Sequence, residues 1–219
     1  MSYSSAPSKA NRKHRRRDLS SRTGGFLKLI KTTTKTMMIS FDPDPGDESP
    51  QVVRMIVEIP QDSTNKYEYD GSLGLFRLSR ALYSPIHYPG DYGFIPGTLA
   101  EDGEALDVLC SVTAPSFTGC LSYVRPIGVL DMLDGKEVDH KILAVPGRDP
   151  RYDDVNDLAG VGVHTQREIE HFFRIYKELE GRRMQMRGWG QVGQAHEIIQ
   201  QSRSRFLAAE ERNAMAGTA

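Results

Sequence analysis

The sequence contains little cysteine and no long apolar run. Cys110 and Cys120 are the two cysteines among 219 residues, and they form neither a C-x-x-C pair nor a zinc-ligand array. We therefore expect inert thiols in a reducing compartment. No apolar stretch approaches the roughly 20 residues that span a bilayer, so we predict a soluble, cytoplasmic protein without a membrane partner.

Two motifs of phosphate and metal chemistry are also missing. The chain has no G-x-x-x-x-G-K-[S/T] segment, which argues against a P-loop nucleotidase. It has no H-E-x-x-H segment, which argues against that class of zinc protease. Phosphate or metal chemistry here must use another arrangement of side chains.

The near-zero net charge hides an uneven distribution. Residues 1–36 carry ten Lys or Arg and one acid, Asp18, while the whole chain has a formal charge of −1, so residues 37–219 sum to −10. An acidic body is unlike a nucleic-acid-binding protein, but it can hold divalent cations. We therefore expect no nucleic-acid partner.

The chain divides into a tail, a domain and a short end. Residues 1–50 lack sustained periodicity and contain a like-charge block from Lys9 to Arg17, which predicts a disordered, basic, low-complexity tail. The alternatives are a start codon assigned too far upstream and a basic anchoring arm. We expect one folded domain at residues 51–213 and a C-terminal tail at residues 214–219.

Hydrophobic periodicity within the domain predicts strands first and helices later. Alternation from Val53 to Glu58 predicts a strand, and a Gly-containing turn between two further strands predicts a hairpin. Short strands followed by two helices indicate a mainly β, α+β fold with a small barrel. The later predicted elements are strands around Asp107–Val112, Tyr123–Met132 and Val138–Val145, and helices at Thr165–Glu180 and Gln194–Asn213.

Acidic residues concentrate at three places on the predicted barrel. Asp102, Glu104 and Asp107 lie within six residues, and they converge only if the chain turns or bulges at Gly103. Converging carboxylates suit Mg²⁺, which prefers hard oxygen ligands. The alternative is that these acids are solvated residues of surface turns. The other acids are Glu58, at the end of the first strand, and Asp134 and Asp139, close to Lys141.

A second set of side chains is cationic or phenolic. Lys and Arg bind phosphate oxygens, and Tyr donates hydrogen bonds to them. Taken singly, each residue is more often a surface charge or a half-buried aromatic. Together with the acids, the set indicates phosphoryl transfer to water. Its members are Lys66, Arg80, Tyr88, Tyr92, Lys141, Tyr176 and Lys177.

At these residues the chain resembles the family I soluble inorganic pyrophosphatases of bacterial type. The resemblance runs from about Val52 to about Phe206, and it is specific because many short blocks occur in order. The blocks are Val57–Pro60, Asn65–Asp70, Tyr88–Ile95, Glu101–Leu109, Arg125–Leu130, Asp139–Pro146, Asp154–Asp157 and His171–Lys177.

The resemblance implies an OB-like five-stranded β-barrel with flanking helices, a homohexamer, and hydrolysis of pyrophosphate by water that several Mg²⁺ ions activate. It also implies a role for each matched residue. Metal ligands would be Asp102, Asp107, Asp139, Asp134 and Glu58; substrate would bind to Lys66, Arg80, Tyr92, Lys141, Tyr176 and Lys177; Glu68 and Tyr88 would support the site; and Glu104 would be the general base.

The sequence departs from the family pattern at two positions. Glu104 occupies the position where the family carries Asp, and Gly135 and Lys136 follow Asp134 where an acid is common. The first departure bears on rate and the second on the binding of additional metal ions. Two other functions stay open at this point: a degenerate phosphate binder without turnover, and an OB-type module that binds single-stranded nucleic acid.

Overall fold

A computed structural model of the chain describes residues 44–216. In this part the strands are β1 (Val53–Ile59), β2 (Asn65–Asp70), β3 (Leu75–Ala81), β4 (Asp91–Phe94), β5 (Asp107–Cys110), β6 (Leu121–Asp134), β7 (Glu137–Val138), β8 (Lys141–Pro146) and β9 (Met184–Gln191). The α-helices are α1 (Val163–Ile175) and α2 (Val192–Ala216). Short 3-10 helices occur at Pro150–Tyr152, Leu158–Val161 and Glu178–Glu180.

Five strands close into a ring in which β1 pairs with β4, β4 with β5, β5 with β8, β8 with β6, and β6 with β1. All of these pairs are antiparallel except β5–β8. The 14-residue strand β6 also pairs with β7 and β9, whereas β2 and β3 form a separate hairpin. The predicted fold class, mainly β with an OB-like ring of five strands and two helices in the C-terminal half, is confirmed.

Two apolar clusters form the core. The first packs Phe172 and Phe173 of α1 against Tyr88, Tyr92 and other buried side chains. The second packs the buried face of α2 against buried residues of β1, β5, β6 and β8. The helices therefore cover different parts of the barrel, and α1 lies on the part that carries Tyr88 and Tyr92.

Gly93 marks the closest approach of β1 and β4. A Cβ atom at this position would lie 1.9 Å from the carbonyl oxygen of Ile56. Such a distance is far inside van der Waals contact, so the pairing of the two strands requires glycine here.

Some element boundaries differ from those predicted. Helix α1 ends at Ile175, not at Glu180, because Lys177 (φ −109°, ψ 3°) leaves the helical conformation. Gly181, with φ 76°, caps the short helix Glu178–Glu180. Strands β4 and β9 were not predicted. Glycines interrupt both, and glycine weakens the sequence signal of a strand.

The predicted N-terminal tail lies mostly outside the described residues. Residues 44–50 are described, and Pro45 and Pro50 are buried there. The backbone N–H of Arg54 donates to the carbonyl of Pro45 at 2.8 Å. The boundary at residue 50 and both tails stay predictions. Within residues 44–216, no helix has the length and apolar character needed to cross a membrane.

Candidate active site

One cleft of about 310 Å³ brings together the predicted site residues from distant parts of the chain. The exception is Glu58, which lines an adjoining cleft of about 320 Å³. The two clefts share Lys66, Glu68, Tyr92, Glu104 and Asp107 as walls. The other predicted residues in the first cleft are Arg80, Tyr88, Asp102, Asp134, Asp139, Lys141, Tyr176 and Lys177.

Lys141 forms the buried end of the first cleft. The parallel register of β5 and β8 sets Asp107 opposite Lys141. The Nζ of Lys141 donates to the carboxylates of Asp107 and Asp139. Burial alone would lower the pKa of Lys141, but these two carboxylates outweigh burial and raise it. Lys141 is therefore a buried cation held between two carboxylates.

Asp102 and Glu104 lie at the exposed rim, on the turn before β5. Gly103 between them has φ +87°, so the predicted turn at Gly103 is present. The backbone N–H of Glu104 donates to Oδ1 of Asp102 at 3.0 Å, and its carbonyl accepts from Ala100 at 2.7 Å. Partial desolvation, followed by the charges of Asp107 and Asp102, raises the pKa of the Glu104 carboxyl.

Glu58 reaches the adjoining cleft from β1. Its Oε1 accepts a hydrogen bond from the backbone N–H of Tyr69 at 2.7 Å, which ties the β2–β3 hairpin to the barrel. Burial raises the pKa of Glu58 to about 7, partly opposed by the Tyr69 hydrogen bond and assisted by Asp107.

The basic side chains of the cleft, which we call the cationic wall, form ion pairs on two sides, one after helix α1 and one on the β2–β3 hairpin. On the helix side, Lys177 and Arg182 both donate to Oδ2 of Asp134, at 2.7 and 2.5 Å. These bonds lower the pKa of Asp134, although burial alone would raise it. On the hairpin side, Glu68 pairs with Lys66 at 2.8 Å and with Arg77 at 2.7 Å. The cleft is thus a network of alternating charges.

Two tyrosines complete the floor. Tyr88 and Tyr92 are 1% and 6% exposed, with ring centroids 5.4 Å apart. Tyr88 also packs on Phe172 of α1 at 4.8 Å. Burial raises the pKa of both phenols, so both stay protonated and act as hydrogen-bond donors.

Four further residues of this region were not predicted from the sequence. Glu137 and Arg182 line the first cleft, Arg77 lines the second, and Glu180 pairs with Arg80. Glu137 lies opposite Asp134 in the β6–β7 hairpin, and the Asp-Gly turn signal there could have located it. The other three have no local sequence signal.

The donor set fits Mg²⁺ by its chemistry. Seven acidic and five basic side chains line the first cleft, so the cleft carries excess negative charge and presents mainly hard oxygen donors. Among residues 44–216, no three Asp, Glu, His or Cys side chains form a ready-made metal-binding group. Lys141 lies between Asp107 and Asp139, so these two carboxylates are paired with an ammonium group.

Comparison with known proteins gives one consistent family. The model of the inorganic pyrophosphatase family matches residues 55–207. An inorganic pyrophosphatase of Nostoc sp. is 48% identical over 158 residues, which cover 72% of this chain and 94% of that protein. One from Halalkalibacterium halodurans is 45% identical over 157 residues, covering 72% and 96%. The crystal structure of the inorganic pyrophosphatase of Thermus thermophilus is similar with a TM-score of 0.73 at 42% identity, covering 74% of this chain and 95% of that one.

Proposed function

The chain belongs to the inorganic pyrophosphatase family and is an inorganic diphosphatase; we propose that the cleft around Lys141 is its active site and that Mg²⁺ is its cofactor. The substrate is pyrophosphate, which is hydrolysed to two phosphates. The proposal assigns a chemical task to each wall of the cleft.

The observation that carries the proposal is the composition of the cleft. Five Lys and Arg side chains face seven carboxylates. A polyanion entering this cleft meets more negative than positive charge, so it binds only when additional cations accompany it. A divalent metal supplies them, and the carboxylates are the ligands that hold it.

The cationic wall binds the phosphates. Lys66, Arg80, Lys141 and Lys177 donate to phosphate oxygens, and the buried side chains of Tyr92 and Tyr176 add hydroxyl donors. Because these groups are held by ion pairs and packing before substrate arrives, they need little reorganisation when charge shifts to the leaving phosphate.

The acidic wall holds the metal ions. Asp102, Asp107 and Asp139 are the main proposed ligands, with Asp134 and Glu58 assisting. Mg²⁺, when bound, neutralises phosphate oxygens and acidifies water. Glu68 and Tyr88 keep the adjacent side chains in place, Glu68 by its ion pair with Lys66.

Glu104 is the proposed general base. Its carboxylate lies at the rim, next to Asp102 and Asp107, and lines both clefts. Partial burial, assisted by the negative charges of Asp107 and Asp102, raises the pKa of Glu104, which makes it a better proton acceptor. It takes the proton from the water that attacks phosphorus.

The alternatives are not favoured. A nucleic-acid-binding barrel combines a positive groove with exposed stacking aromatics, whereas this cleft carries excess acid and buries Tyr88 and Tyr92. A degenerate phosphate binder would lack some of the metal-binding or substrate-binding side chains, but every expected charged residue lines one of the two clefts.

We further propose a cytoplasmic homo-oligomer, a hexamer by family resemblance. Large apolar side chains, including Leu75, Phe117 and Leu121, are exposed on the described surface, as at a subunit interface. Light scattering of the purified protein measures the subunit number, and cell fractionation locates the enzyme.

Phosphate release tests the substrate assignment. With Mg²⁺ present, we expect rapid release from pyrophosphate and little from glucose 6-phosphate, since a single phosphate group cannot contact all of the phosphate-binding side chains at once. Equal rates on the two compounds would contradict the proposal.

A further inference from the structure

We propose that Glu180 is a positioning residue that holds the Arg80 guanidinium in its substrate-binding orientation; this rests on the proposed function of the cleft. The Nε of Arg80 donates to Oε1 of Glu180 at 2.8 Å. The two side chains are 21% and 17% exposed. Arg80 lines the cleft, and Glu180 acts only through it.

The pairing occupies the Nε atom of the guanidinium and does not involve Nη2. The Nη2 atom of Arg80 is buried and has no hydrogen-bond partner among the described residues. A buried N–H without a partner is costly. A phosphate oxygen reaches this atom only after a small shift of the Arg80 side chain, because Nη2 is closed to solvent-sized groups in the described structure. The pair with Glu180 limits how far the guanidinium moves.

Glu180 is itself held by a rigid turn. Its backbone N–H donates to the carbonyl of Lys177 at 3.0 Å, and Arg182 donates to the same carbonyl at 3.1 Å. Lys177 and Arg182 both bind Asp134. The turn that carries Glu180 therefore also positions Lys177, which lines the same cleft as Arg80.

Arg80, in contrast, stands on a hairpin that is not part of the barrel sheet. Strands β2 and β3 form their own two-stranded sheet, so no ladder hydrogen bonds fix β3 against the barrel. The pair between Arg80 and Glu180 links this hairpin to the turn after α1. We infer that it sets the spacing between Arg80 and Lys177.

Electrostatics alone predicts the opposite effect. Glu180 partly neutralises Arg80, so removing its charge would make the cleft more positive and strengthen the binding of an anion. If Glu180 mainly positions Arg80, removing the charge instead weakens anion binding, because the guanidinium must be ordered when the ligand binds.

The test compares Glu180→Gln with Glu178→Gln. Glu178 lies on the same short helix and is exposed, so the control removes the same charge from the same turn. Calorimetry with imidodiphosphate in Mg²⁺ gives the dissociation constant, and phosphate release gives KM and kcat. For Glu180→Gln we expect both the dissociation constant and KM to rise about tenfold, because one charge-assisted hydrogen bond is lost. We expect kcat to stay within about threefold of the parent value. The control should match the parent protein.

A double-mutant cycle then separates positioning from a general structural role. If Glu180 acts through Arg80, the double variant R80A/E180Q binds imidodiphosphate as Arg80→Ala does. Three results would each overturn the proposal. The first is that the losses of binding free energy in the two single variants add up in the double variant, and the second is an unchanged or lower dissociation constant in Glu180→Gln. The third is a melting temperature of Glu180→Gln lowered by more than about 5 °C, roughly 1–2 kcal/mol for this size.

Binding is measured without turnover, so this test is separable from that of the proposed function. Parent protein that binds imidodiphosphate without hydrolysing pyrophosphate would contradict the proposed function and leave the cycle valid. Parent protein that does not bind imidodiphosphate would overturn the positioning role as well.

Discussion

Replacing Glu104 with Gln removes the proposed general base and keeps the size of the side chain. The neutral amide cannot accept the proton. A general base typically contributes about 10²- to 10⁴-fold, so we expect kcat to fall on the order of 100-fold or more at saturating Mg²⁺, and a fall of at least about tenfold is the minimum that supports the role.

The structure also sets an expectation for Glu104→Asp. The backbone of residue 104 is held by Asp102 and by Ala100, so the loop cannot move freely to compensate for a shorter side chain. Aspartate withdraws the carboxylate by about 1.5 Å, one bond length. A misplacement near 1 Å can cost on the order of 100-fold, but the open rim lets a water bridge the gap. We expect Glu104→Asp to be faster than Glu104→Gln by about tenfold or more.

The assay is steady-state phosphate release from pyrophosphate, with Glu101→Gln as the matched control. Glu101 is an exposed acid of the same turn that lines neither cleft, so its variant should keep the parent kcat. If Glu104→Gln keeps kcat within about twofold, another group accepts the proton and the role given to Glu104 is wrong.

Three further predictions concern stability. Gly93→Ala should lower the melting temperature by about 4 °C or more, an overpacking cost of 1–3 kcal/mol, because its Cβ meets the Ile56 carbonyl; an unchanged melting curve would show that β1 and β4 separate easily. Removing residues 1–43 should leave melting temperature and kcat unchanged, whereas removing residues 1–50 should lower the melting temperature by about 3–6 °C, since it deletes two buried prolines and the acceptors of three backbone hydrogen bonds from Gln51, Val52 and Arg54; equal melting of the two truncations would refute this. Asp91→Ala should lower the free energy of unfolding by roughly 2–4 kcal/mol, because the buried Asp91 carboxylate accepts hydrogen bonds from backbone N–H groups of two loops. Denaturant titration measures this loss, and a loss below about 0.5 kcal/mol would contradict that role.

Local patterns predicted much of the fold. The alternation in β1 and the two halves of the β2–β3 hairpin are short-range signals, and the structure contains all three strands. Strands β4 and β9 escaped prediction because Gly93, Gly188 and Gly190 interrupt the apolar pattern. Those glycines are needed for close contacts or a positive φ, a requirement that only the assembled sheet imposes.

Most of the candidate site could also be predicted, since the resemblance named residues that the structure places around one pair of clefts. What sequence reasoning missed was the pairing. Glu180 lies 100 residues from Arg80, and Arg182 lies 48 residues from Asp134. Such contacts depend on where the hairpin and the turn after α1 meet, and no local spacing encodes that distance.

The most direct test of the account is phosphate release from pyrophosphate under three metal conditions: with Mg²⁺, after complete chelation of divalent cations, and after Mg²⁺ is restored. We predict two phosphates per pyrophosphate with Mg²⁺, loss of turnover on chelation, and recovery on restoration. Turnover that survives complete chelation, or none with Mg²⁺ present, would contradict the claim that the carboxylates of this cleft hold the metal and its cations hold the substrate.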